Sequence, residues 1–165
     1  NNLSQTFRVI NDDDRTLPVS FGGHPGFNAS PINDFEIIFS EKEFIKSNQL
    51  SGPYINENEI DIIQTDRISM DKTIFDNDAL IFQGLNSKEV SLQKKNSTYA
   101  VKMNIDEFPY LGIWAKPGAP YVCLEPWQGL ADYLDHNKNI EHKKGIILLP
   151  FGEEIEKIFR MTFTS

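Results

Sequence analysis

Apolar residues in this chain recur at every second position, in runs that are short and closely punctuated. Leu17, Val19 and Phe21 alternate with Pro18, Ser20 and Gly22, and Phe159, Met161 and Phe163 alternate with Arg160, Thr162 and Thr164. Successive side chains of a strand point to opposite faces, so period two marks a strand with one face in a core. Shorter candidates lie at 35–39, 43–46, 90–94, 99–105, 110–115, 120–124 and 146–149. Turn chemistry separates them: Asn11-Asp12-Asp13-Asp14 follows an apolar-rich strand, Lys116-Pro117-Gly118-Ala119-Pro120 divides two, and Pro150-Phe151-Gly152 precedes the last. No stretch carries a 3.6-residue stripe of helical length. Residues 71–85, with Ile74, Phe75, Leu80, Ile81 and Phe82, fit neither template. Many short strands with regular turns predict an all-β sandwich or barrel. Without repeats, low-complexity tracts or a shift in composition, one domain is the economical reading.

Composition narrows the function classes. At 165 residues and 39% hydrophobic content the chain can bury a core without staples. The lone Cys123 excludes a disulfide within the chain, and no Cys/His cluster has the spacing of a zinc site, so neither metal nor cofactor is expected. A net charge of −8 argues against nucleic acid or an anionic membrane as partner. No apolar run approaches the roughly 18 residues of a membrane span. Residues 1–5 show neither the basic nor the apolar region of a signal peptide, and a cytoplasmic location is the expectation.

Three stretches carry chemistry. Phe21-Gly22-Gly23-His24-Pro25-Gly26-Phe27-Asn28 makes a constrained turn at a strand end, where backbone can approach a ligand closely. His24 there can give or take a proton near neutral pH; it reads equally as a surface histidine in a Gly-rich turn. In Val122-Cys123-Leu124-Glu125-Pro126-Trp127 an acid follows three apolar residues at a strand end. A carboxylate beside a tryptophan and partly desolvated is pushed toward a neutral pKa, which suits a general base. Trp127 and Trp114 offer flat apolar faces for a sugar ring, although tryptophans more often fill cores and a strand-end Glu is more often solvated. Asp78, last acid before Ala79-Leu80-Ile81-Phe82, is either a ligand contact or a turn residue. The cluster Asp132, Asp135, His136, Glu141 and His142 matches no ligand pattern and reads as a solvated loop. Cys123 reads as a small buried hydrophobe.

Taken with Trp114-Ala115-Lys116-Pro117-Gly118, the His24 and Glu125 motifs resemble the aldose 1-epimerase (galactose mutarotase) family, in its LacX-like branch. The resemblance runs through the whole chain in the same order. It implies a large antiparallel β-sandwich, a supersandwich, with a free sugar in a groove on its concave face. It implies Glu125 as catalytic base, His24 as catalytic acid, and Asp78, Trp114, Trp127, Asn28 and Lys116 as substrate contacts. Lys116 stands where many members carry a Gln, and Gly26 where an aromatic is common, which would open the pocket beside His24.

Family members are substantially longer. The resemblance therefore implies that residues 1–165 correspond to the C-terminal part of one sandwich domain. The absent part would bring an arginine and often a second histidine to the site, which Arg8, Arg15, Arg67 and Arg160 do not replace. A homodimer, or association with that N-terminal portion, is the expectation for uncovered edges. The function implied is interconversion of α and β anomers of a free hexose. The alternatives are a non-catalytic carbohydrate-binding or sensing protein and an epimerase of a phosphorylated hexose.

Overall fold

A computed structural model describes the backbone of all 165 residues and the side chains of all but residue 45 and residues 58–65. Among the described residues the chain forms β1 (Asn2–Ile10), β2 (Leu17–Val19), β3 (Gly26–Asn28), β4 (Phe35–Ser51), β5 (Tyr54–Ser69), β6 (Leu80–Gln83), β7 (Glu89–Lys94), β8 (Ala100–Asn104), β9 (Tyr110–Trp114), β10 (Tyr121–Trp127), β11 (Ile147–Leu149) and β12 (Glu154–Thr164). Two single 3-10 turns, Ile32–Asp34 and Ile140–His142, complete it. The strands run antiparallel in the order β1-β12-β8-β7-β4-β6-β9-β10-β3, with β5 beside β4 and β2-β11 as a separate pair. The expected all-β antiparallel sandwich is what the chain forms.

Strand β4 makes the two layers. Its first part, Phe35 to Phe39, pairs with β7, whereas Ser47 and Asn48 pair with β6. One strand thus serves both layers, and their apolar faces meet in a shared core. Ile37, Leu92, Val101, Met103 and Phe159 face Phe82, Leu111, Ile113, Val122 and Leu124 within it. Phe39 and Phe82 meet edge to face across the layers, ring centres 5.7 Å apart, a favoured aromatic geometry.

Between the two parts the β4–β5 register shifts, and Glu43 sits there 2% exposed. Its carboxylate accepts from the Ser87 N–H at 2.5 Å and from the backbone and side-chain amides of Asn86 at 3.1 and 3.2 Å. Burial alone would raise its pKa, but these hydrogen bonds outweigh that and lower it.

Two strand expectations need revision. Residues 35–39 and 43–46 are parts of one 17-residue strand. No strand is expected over Tyr54–Ser69, yet β5 forms there by pairing with β4, with Ile55 and Ile68 buried. Gly52 turns that hairpin with φ +61, the positive φ that two-residue hairpin turns demand. The ambiguous 71–85 resolves into turns followed by β6.

Candidate active site

Strand β10 is buried on both faces, which explains its apolar Val-Cys-Leu run. Val122 and Leu124 enter the shared core, so the pleat turns Cys123, Glu125 and Trp127 to the opposite face. The Gly-rich segment runs antiparallel beside them. Gly22 bridges to Trp127, Gly23 N–H donates to the Pro126 carbonyl at 2.9 Å, Leu124 N–H donates to Pro25, and Gly26 pairs with Cys123. That register sets His24 opposite Glu125.

The glycines serve this scaffold more than any ligand. A Cβ at Gly22 would lie 2.7 Å from the Pro126 carbonyl oxygen and 2.7 Å from the Trp127 ring, and one at Gly23 would lie 2.6 Å from the Phe159 ring. Across β10, Gly112 pairs with Glu125, and a Cβ there would meet the Trp127 ring at 2.4 Å. The indole of Trp127 is therefore fixed between two side chains that do not exist.

His24 Nε2 stands 3.3 Å from Glu125 Oε1. The Glu125 side chain is 3% exposed and that of His24 is 60% exposed. Oε1 has no hydrogen-bond partner among the described residues. Burial raises the Glu125 pKa, and the charge of His24 and a hydrogen bond with the Trp127 side chain draw it back only in part. Burial, then the nearby Glu125 charge, push the Cys123 thiol up to about 11, so it rests neutral.

His24 and Glu125 open onto a pocket of about 590 Å³. Trp114 and Trp127 wall it, Asp78 and Ala79 stand at one side, and Leu50 and Pro53 of the β4–β5 hairpin tip close another. Trp114 sits edge-on to His24 at 6.0 Å. Asp78 is exposed, holds φ +77 and accepts a hydrogen bond from Ala79 N–H at 2.7 Å; Asp is among the few residues that tolerate this region. The fold thus gathers Glu125, His24, Asp78, Trp114 and Trp127 into one pocket. Asn28 lies instead in a neighbouring hollow with His24, Tyr121 and Cys123, and Lys116 is exposed in the turn after β9, outside the lining of the Glu125 pocket.

A polar group joining β4, β6 and the loops after β10 carries no signal in the sequence. Gln83 donates to Asn48 and, at 3.0 Å, to the Tyr133 hydroxyl, which also receives Lys144 Nζ at 3.1 Å. These four residues sit on separate segments, so no local motif announces them; none lines the Glu125 pocket, and Asn48 stands three strands from the acid along the register Asn48–Ile81–Gly112–Glu125. The loop cluster is knitted within itself, with Lys143 Nζ 3.1 Å and His136 Nε2 4.0 Å from Asp132.

The sequence profile of the family described as aldose 1-epimerase matches residues 1–162. The chain belongs to the aldose 1-epimerase family. It is 28% identical over 148 residues to the plasmid-borne protein LacX of Lactococcus lactis subsp. lactis, a match covering 83% of this chain and 50% of that protein. The chain spans about half the length of the curated relatives it matches. An X-ray structure of a galactose mutarotase related enzyme from Lactobacillus acidophilus superposes with a TM-score of 0.93 at 32% identity, over 100% of this chain and 58% of that one. A galactose mutarotase-like protein from Lactobacillus casei ATCC 334 superposes at 0.85 with 21% identity, over 97% and 58% of the two chains, and shares the fold. The LacX-like resemblance carried by the His24 and Glu125 motifs thus meets family members along nearly its whole length.

Proposed function

We propose that the protein is an aldose 1-epimerase-like isomerase that interconverts the anomers of a free hexose, with Glu125 as base and His24 as acid. The observation that carries this reading is a buried carboxylate oxygen without a hydrogen-bond partner, facing an exposed imidazole in a pocket walled by two tryptophans. The reaction asks for that pair. Glu125 takes the proton of the anomeric hydroxyl while His24 gives one to the ring oxygen, and the C1–O5 bond opens to the aldehyde. Rotation about C1–C2 presents the other face, and reclosure returns both protons. Both oxygens hang on one carbon, so acid and base must stand at adjacent positions, as His24 and Glu125 do. Neither metal nor nucleotide enters the proton balance.

Burial supports the base, because a desolvated carboxylate with a raised pKa is a stronger proton acceptor than one in water. Trp114 and Trp127 offer apolar faces to the C–H side of a pyranose, and Asp78 a carboxylate to its hydroxyls. Equal stacking of the two anomers leaves their equilibrium unchanged and accelerates both directions. Polarimetry on freshly dissolved α-glucose and α-galactose with the complete protein tests the reading. Mutarotation is expected to accelerate, and Glu125→Gln to remove about 10²–10⁴-fold of that acceleration. Sugar binding without any acceleration would instead identify a carbohydrate-binding protein of the same fold.

A further inference from the structure

We propose that His24, Cys123 and Glu125 form a site for a borderline-soft divalent cation, Zn²⁺ by preference, which competes with sugar for the acid–base pair. A ring nitrogen, Sγ and a carboxylate oxygen of these residues all lie within 4.8 Å of one another. Zinc bonds of about 2.0–2.3 Å in tetrahedral geometry put ligand atoms roughly 3.3–3.8 Å apart, so pairs now up to 4.8 Å apart must close by about 1 Å. The 3.3 Å between His24 Nε2 and Glu125 Oε1 is already such a separation.

A second observation points into the same space. Glu125 Oε1 is buried with no hydrogen-bond partner among the described residues, although the imidazole is beside it. A buried acceptor in that state gains from any electrophile that reaches it. The thiol is reachable because residue 26 is glycine: a Cβ there would already lie 3.4 Å from Sγ, and a larger side chain would cover the hollow shared by His24 and Cys123. Sequence spacing hid the set, since residues 24 and 123 are joined only by the β3–β10 register.

The donor set fixes the class of metal. Thiolate and imidazole with one carboxylate suit Zn²⁺ and its heavier congener Cd²⁺, not Mg²⁺ or Ca²⁺, which prefer oxygen alone. On binding, the Cys123 thiol releases its proton to solvent, and the sulfur gives its electron pair to the metal. The resulting two anions then balance the 2+ charge in a desolvated place. Three protein ligands leave a fourth position for water or a substrate oxygen. The binding rests on geometry alone; its inhibitory consequence rests on the function proposed above.

The test titrates the complete protein with Zn²⁺ by calorimetry, and with Cd²⁺ while the ultraviolet thiolate-to-metal charge-transfer band is recorded. One equivalent is expected to bind, with the band appearing in step. Cys123→Ala is expected to weaken binding at least about tenfold, the lower end of what losing even an outer-shell partner costs. His136→Ala, in the loop cluster, should leave it unchanged. Stoichiometric binding without the band, or binding equally tight in Cys123→Ala, overturns the site. Should the Ala variant fold poorly, the band in the unaltered protein decides. In the polarimetric assay Zn²⁺ should inhibit the unaltered protein and spare Cys123→Ala, which keeps both members of the proton-transfer pair. If metal binds with the band but no mutarotation exists to inhibit, the site stands and the proposed function falls.

Discussion

His24 Nε2 and Glu125 Oε1 stand 3.3 Å apart and yet do not form an aligned hydrogen bond, which leaves a buried carboxylate oxygen with an unfilled acceptor position. An unsatisfied buried acceptor costs on the order of 1–3 kcal/mol. A hydroxyl entering between imidazole and carboxylate would satisfy both, which favours a polar ligand at this place.

The raised Glu125 pKa has a sign that can be measured. The unfolded carboxyl ionises near 4.5, and in the native chain burial lifts that value. Between the two values the native state holds more proton, so this group's contribution to stability falls as pH rises through the window. Glu125→Gln should erase that fall and gain on the unaltered protein as pH rises above 4.5 in urea unfolding. The acid limb of kcat/KM should lie above 4.5 for the same reason. A limb at or below the ordinary carboxyl value would remove Glu125 as the base.

Gly112 and Trp127 should be coupled. An added Cβ at Gly112 meets the indole at 2.4 Å, and overpacking of this kind costs roughly 1–3 kcal/mol. Gly112→Ala should therefore lower stability and shift tryptophan fluorescence. In a Trp127→Ala background the same change should cost far less, and a double-mutant cycle gives the difference. Equal costs in both backgrounds would mean that the ring is not held by this contact.

Glu43 is predicted to work in the opposite pH direction from Glu125. Its folded pKa is lowered, so its contribution is present above the ordinary value of 4.5 and is lost as pH falls through the folded value. Glu43→Gln should destabilise by about 1–3 kcal/mol at neutral pH. That deficit should shrink on acidification. Unfolding midpoints of the two proteins across the acid range check both statements.

Asp78 separates strain from recognition. At φ +77 an alanine would be strained, whereas asparagine tolerates the region. Asp78→Asn should hold stability within about 0.5 kcal/mol and raise KM for hexose, while Asp78→Ala should lose stability as well. An unchanged KM in Asp78→Asn would take Asp78 out of the substrate contacts.

Much of this site was legible because each half is local in sequence. Gly22-Gly23-His24 and Glu125-Pro126-Trp127 announce a constrained histidine and a desolvated acid, and one strand register joins them. The reason for the glycines was not legible: it lies in Trp127 and Phe159, whose rings arrive from other strands. Gln83, Asn48, Tyr133 and Lys144 were hidden in the same way, since contacts between distant segments leave no period behind. Strand β5 escaped because its pairing with β4 fixes it, and pairing between strands leaves no period in the sequence. Asn28 and Lys116, expected as substrate contacts, lie outside the lining of the Glu125 pocket, because the pleat and the following turn carry them past its rim.

Strand β4 gives backbone hydrogen bonds to β7 at one end and to β6 at the other. Amides in the two layers should therefore exchange through shared openings. Freeing Ile37 from β7 withdraws the support on which Asn48 and Ile81 rest, and the row ending at Glu125 loosens with them. Native-state hydrogen exchange should report one cooperative unit across both layers, with Leu92 and Ile113 protected to the same free energy. His24 and Glu125 would then inherit their rigidity from the far side of the molecule.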